Sequence, residues 1–313
     1  MSGGRAKKSA VGGAAAAGGE AYRAAVAGFL GAHVLRGWAV GGLELPRENA
    51  VPLEIRLETD EELDDIGCLL RGGGRLYIQA KHTVNLSTRP GSPFADAVGQ
   101  CRAAVTKGGL DPHVDRLAIV TAAPSGPVKH LSAALRRRRN LLSGKSTTAE
   151  VDGLKKLESL LSDLEDDQRA LLLDCLVIVR CEPEENGLRD AQLAGLLLDG
   201  AIVAYGSGSQ AFEALRSKAL DLARLREGLD VTGLLATLSD AGLQLSGDAD
   251  GSAAVRLVAR QAAATAYRQR LQKVGETIRL LGVGADLPSL VLSDLDAEVL
   301  AIEPGLEEER PSE

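Results

Sequence analysis

The chain has 313 residues, 45% of them apolar and only 3% aromatic, with a formal charge of −7; a length of this kind admits about two domains. That apolar share supports a sizeable core made mainly of Leu, Val, Ala and Ile, and no run approaches the roughly 18 apolar residues of a membrane span. The net charge speaks against a general nucleic-acid coat protein, yet it hides an asymmetry, since residues 1–150 hold 20 Lys/Arg against 14 Asp/Glu and the remainder 16 against 29.

In chain order, Met1 to Gly19 is rich in Ala and Gly with Arg5, Lys7 and Lys8. It is read as a disordered leader over residues 1–17, not a signal peptide, because it lacks a sustained apolar core. From Glu20 an amphipathic helix is predicted to run to about Leu35, with Tyr22, Val26, Phe29, Leu30 and Val34 near helical spacing and Gly37 as its stop. Trp38 to Leu45 reads as a short strand or loop, and Leu53–Leu57 alternates as a strand. Two further apolar strands, ending near Leu70 and running over Arg75–Lys81, meet at Gly72-Gly73-Gly74, a β-hairpin signal. A polar loop from His82 to Pro93 precedes a helix over Phe94–Val105, a buried strand over Arg116–Thr121, and a helix over Val128–Leu142 that carries Arg136 to Arg139. The composition shifts at Ser143–Thr148. The remainder predicts helices over 149–164, 167–175, 188–198, 210–226, 231–241 and 253–281, with a strand over Leu176–Arg180 and an acidic tail. The expected architecture is α/β with a mixed central sheet over 18–148, followed by a mostly helical region over 149–313 serving oligomerisation or regulation.

The chemistry concentrates at the hairpin. Side chains alternate along a strand, so Gln79 and Lys81 share one face, while Leu76, Ile78 and Ala80 face the other way and are expected to be buried. An amide and an ammonium opposite carboxylates of the neighbouring strand can hold a hard cation and a water beside it. Asp64 or Asp65, followed by Gln79 and Lys81 at hairpin spacing, therefore form the candidate site. Convergence of Asp65, Gln79 and Lys81 on one point is the geometric condition for it.

The pattern Asp65 … Ile78-Gln79-Ala80-Lys81 resembles the PD-(D/E)xK nuclease superfamily, in its Gln-x-Lys subset found in Mrr-like restriction enzymes and antiphage effector nucleases. The resemblance covers roughly residues 18–145 and implies a restriction-endonuclease-like sandwich. It departs from the commonest form at Gln79, where a carboxylate is usual, which weakens metal ligation. It implies a Mg²⁺- or Mn²⁺-dependent endodeoxyribonuclease acting on double-stranded DNA in bacterial antiviral defence. Asp65 would be the main metal ligand with Asp64 its alternative, Gln79 and the Ala80 carbonyl would complete the site, Glu20 would help directly or through water, and Lys81 would orient or activate the water. Gln100, His82, Arg136, Arg137 and Arg139 would meet the DNA. The alternative is a catalytically inactive module of the same fold, acting as an interaction or DNA-binding adaptor.

Each residue also has a plainer reading: a solvated acidic strand start for Asp64 and Asp65, an edge-strand lysine for Lys81, and a solvated face or a contact to the acidic half for the arginines. Cys68, Cys101, Cys175 and Cys181 lack metal-type spacing, which predicts buried free thiols in a reducing cytoplasm. Gly144-Lys145-Ser146-Thr147 lacks the upstream glycine and strand of a phosphate-binding loop. The segment from Tyr267 to Leu295 resembles the lead-in to STAND-type nucleotide-binding modules of bacterial defence proteins. This implies the effector end of a larger protein, or a descendant that lost its sensor. A homo-oligomer or a sensor/ATPase partner is expected, and no membrane.

Overall fold

The computed structural model describes residues 5–57, 65–184, 189–225 and 227–246. Contacts divide the chain into Met1–Ala259 and Arg260–Glu313. The expected helix over 253–281, the segment from Tyr267 to Leu295, the acidic tail and Asp64 all lie outside the described residues.

Helix α1 (Arg5–Arg36) leads to β1 (Pro52–Leu57), β2 (Ile66–Leu70), β3 (Arg75–Ala80) and the short β4 (Thr83–Val84). Then come α2 (Pro93–Lys107), β5 (Arg116–Thr121), the short β6 (Ala123–Pro124) and α3 (Gly126–Arg138). They are followed by α4 (Thr148–Leu160), α5 (Asp166–Cys175), β7 (Leu176–Arg180), α6 (Arg189–Leu198), α7 (Gly208–Leu225), β8 (Gly228–Asp230) and α8 (Val231–Asp240). Local chemistry sets several of these bounds. The α1 helix begins inside the stretch expected to be a disordered leader, and it ends at Gly37, whose φ of 65° is the left-handed stop that glycine adopts without strain. There Gly37 N–H donates to Val34 O and Trp38 N–H to His33 O, the paired bonds of a Schellman motif. Ser92 caps α2 by accepting from Ala95 N–H, with Pro93 in the first turn.

Six strands form one mixed sheet in the order β7-β5-β3-β2-β1-β8. The β1–β2, β2–β3 and β1–β8 pairs are antiparallel, while β3–β5 and β5–β7 are parallel, with helices in the crossovers. The hairpin register sets Ile66 opposite Ile78 and Cys68 opposite Leu76. Its turn needs glycine twice over: Gly73 has φ 83°, and a Cβ on Gly74 would sit 2.1 Å from Val114 O.

Both faces of the sheet are covered. On one, Leu76, Ile78, Ala80, Ala118 and Val120 join Leu30 and Val34 of α1 and Phe212 and Leu215 of α7 in one core. On the other, Leu117 and Ile119 pack with Phe94, Val98, Leu131, Leu135 and Leu157 from α2, α3 and α4. Each such Leu, Phe or Ile contributes about 1.5–3 kcal/mol by leaving water, so the sheet is held from two sides.

The class is α/β with a mixed six-stranded sheet, as the strand and helix patterns predict; a specifically restriction-endonuclease-like sandwich is not established by it. The boundary expected near residue 148 is corrected. Strand β7 pairs with β5 and β8 pairs with β1, so residues beyond 148 supply both outer strands of the same sheet. Among the described residues, no helix is long and apolar enough to cross a membrane.

Candidate functional site

The hairpin register brings Asp65, just before β2, alongside the end of β3. Asp65 is 7% exposed. Its Oδ2 accepts from the Ala80 backbone N–H at 2.8 Å and lies 3.2 Å from Lys81 Nζ. Its Oδ1 lies 3.3 Å from the Arg23 guanidinium, which reaches in from α1. One buried carboxylate thus holds two cations whose side chains stay 28% and 29% exposed. A small cavity of about 120 Å³ opens beside it, lined by Glu20, Arg23, Ala24, Leu57, Asp65 and residues of α7. Glu20 is exposed at the cavity wall.

Two of the expected residues meet directly. Asp65 and Lys81 converge, and Glu20 lines the same cavity as Asp65. Gln79 is fully buried in the sheet, and Gln100 is half-buried on α2. His82 Nε2 sits 2.9 Å from Glu184 Oε2, and the Tyr22 ring meets the imidazole edge-on at 5.5 Å between centroids. Tyr22 in turn donates its hydroxyl to Cys181 O at 2.9 Å, and burial pushes its hydroxyl pKa up, so it remains a donor. His82 therefore ties β3 to the segment after β7, where the sequence suggested a phosphate contact.

The arginine cluster is likewise spent on ion pairs within the chain. Arg136 and Arg139 both pair with Glu44, Arg137 with Glu150 and Arg138 with Asp174. Arg139 also donates to the carbonyls of Leu173 and Leu176 at 3.1 and 2.8 Å. Consecutive helical residues spread around the axis, and here the four arginines meet three different carboxylates. Arg116 does similar work below: its guanidinium, nearly buried, donates to the carbonyls of Leu43, Glu44, Pro112 and Asp115. Desolvation, followed by the nearby Arg139 charge, lowers its pKa from the ordinary value.

Sequence reasoning missed Arg23. Its signal was available, for Arg23 follows Glu20 by three on one helix face.

The metal expected from the sequence does not fit the described residues as they stand. Asp65 already takes donors on both oxygens, and no group of three or more His, Cys, Asp or Glu among the described residues is gathered to hold a metal ion. A Mg²⁺ ion asks for near-octahedral oxygen ligation, and Arg23 and Lys81 stand where it would approach.

No protein-family model matches the chain, and no curated relative matches its sequence. Solved structures do match. The Cap4 SAVED/CARF-domain containing receptor of Acinetobacter baumannii with the cyclic trinucleotide 3'3'3'-cAAA is 10% identical, covering 71% of this chain and 47% of that one, with a TM-score of 0.43. The corresponding Moraxella osloensis receptor is 12% identical over 71% and 47%, with a TM-score of 0.42. The chain thus spans about half the length of the structures it matches. These are described as SAVED/CARF-domain containing receptors, and the expected PD-(D/E)xK assignment and DNA-endonuclease function are withdrawn as corrections, together with the inactive nuclease-fold adaptor. The internal pairing of Arg136 to Arg139 gives a physical reason to drop the double-stranded DNA contact as well. At these TM-scores and identities the likeness itself assigns neither fold nor ligand to this chain.

Proposed function

We propose that the Asp65 cluster binds the phosphate group of a small phosphate ester. The observation that carries this reading is the pair of half-exposed cations, Arg23 and Lys81, fixed from opposite oxygens of one buried carboxylate. A carboxylate so placed orients the two cationic heads, and N–H groups on their exposed sides can take anionic oxygens in charge-assisted hydrogen bonds. The adjoining cavity has room for a group of phosphate size. Calorimetric titration with inorganic phosphate and with AMP tests it. Micromolar to millimolar binding that weakens in Arg23→Gln and Lys81→Met supports the reading, and binding unchanged in both variants overturns it.

A further inference from the structure

A second cavity, of about 400 Å³, lies between α1, the 37–43 segment, the β3, β5 and β7 strands and α6. Its walls are mostly apolar, with Phe29, Leu30, Val40, Ile78, Val120 and Leu193 among them. This is the size and character of small-molecule pockets, which bury an apolar body and fix it with few polar groups.

The polar groups in the wall are nearly all accounted for. Asp190 accepts from Glu182 N–H at 2.7 Å and pairs with Arg189, while Arg180 pairs with Glu182. Cys181 is buried and its thiol pKa is pushed up by that burial. His33 differs. It is 4% exposed, its ring lies against Phe29 with centroids 4.6 Å apart, and its Nε2 is buried without a hydrogen-bond partner. Its Nδ1 sits 3.3 Å from the Trp38 carbonyl oxygen. A carbonyl only accepts, so Nδ1 carries the proton and Nε2 of the neutral ring is an acceptor. A buried acceptor left unpaired is destabilising, and its presence at a pocket wall marks a point where a ligand gains a bond.

We infer that this cavity binds a small, largely apolar molecule that presents one hydroxyl or N–H donor to His33 Nε2. The site is separate from the Asp65 cluster and does not rest on the reading given for it.

The test uses the full chain and two probes of nearly equal shape, 2-naphthol and 2-methoxynaphthalene, which differ in the donor. Calorimetry should show 2-naphthol binding about tenfold tighter, the worth of one buried hydrogen bond. The ¹⁵N resonance of His33 Nε2 should move with 2-naphthol and stay in place with the ether. In His33→Phe the preference should vanish while the ether still binds. Equal affinity of the two probes for the wild type overturns the inference, as does failure of both to bind or an unmoved Nε2 resonance under saturating 2-naphthol. The wild-type comparison and the resonance decide the matter even if His33→Phe does not fold.

Discussion

Replacing Asp65 by Asn, beside a replacement by Ala, separates the charge of the carboxylate from its hydrogen bond. Removing one partner of a buried ion pair costs about 3–5 kcal/mol. Here Arg23 and Lys81 are 28% and 29% exposed and can turn to water, which brings Asp65→Asn down to ~2 kcal/mol. Asn keeps an amide oxygen for the Ala80 N–H; Ala strands that donor and loses ~1 kcal/mol more. At 2–4 °C per kcal/mol for a domain of this size, thermal melts should fall by roughly 4–8 °C for Asn and roughly 6–12 °C for Ala. Phosphate binding should move the other way. With one negative charge removed beside two cations, Asp65→Asn should bind inorganic phosphate about fivefold tighter, ~1 kcal/mol of lost repulsion. A site built around a metal ligand would instead lose binding. Melting curves that coincide with wild type, or phosphate affinity that drops in the Asn variant, would refute the reasoning.

Four further outcomes follow from the same geometry. Gly74→Ala places a methyl 2.1 Å from Val114 O, and chemical denaturation should show a loss of about 3 kcal/mol, since backbone cannot yield as a side chain does. Double-mutant cycles at Glu44 should give ~2 kcal/mol of coupling with Arg139, which is nearly buried, and ~0.5 kcal/mol or less with Arg136, which is half-exposed. Burial pushes the Cys101 and Cys175 thiols up to about 12, and Cys68 and Cys181 upward too; iodoacetamide at pH 8 should label none of these four in the native protein and all four after unfolding. Burial also holds the His33 imidazole below its ordinary pKa, despite the Trp38 and Ala39 backbone bonds. As pH falls through the unfolded value near 6.5, the unfolded chain takes the proton first. Stability should therefore drop on acidification through that value, and His33→Phe should melt with less dependence on pH between 7.5 and 5.5.

Much of the local structure was legible. The alternation of Leu53–Leu57, the paired runs around Gly72–Gly74 and the helical spacing from Tyr22 to Val34 each appear where the pattern placed them, because period and turn chemistry are local properties. The Asp65–Lys81 meeting was legible for the same reason, since a tight hairpin fixes its own register. What failed was non-local. The composition shift at Ser143–Thr148 suggests a boundary, but β7 and β8 beyond it join the sheet begun before it. Nothing in Leu176–Arg180 announces that it will lie beside Arg116–Thr121, because periodicity names a strand and not its neighbour. Nor could four arginines in a row disclose that Glu44, far back in the chain, would receive two of them. Charge patterning offered a DNA contact, a solvated face or a contact to the acidic half, and had no means to name the carboxylates that the fold brings up.

The strand order has a consequence for how the molecule can be cut. Both outermost strands, β7 and β8, come from the second half of the described chain, while the four between them are complete by residue 121. A fragment ending at 148, although attractive as a minimal domain, would carry β5 and β1 as two naked rims rich in Leu, Ile and Val. Such rims recruit other chains. During synthesis the nascent polypeptide passes through that same exposed intermediate, and it is relieved of it only when residues 176–180 and 228–230 have emerged. Shielding by a chaperone is thus most needed within that interval, and a soluble expression fragment should extend at least through β8.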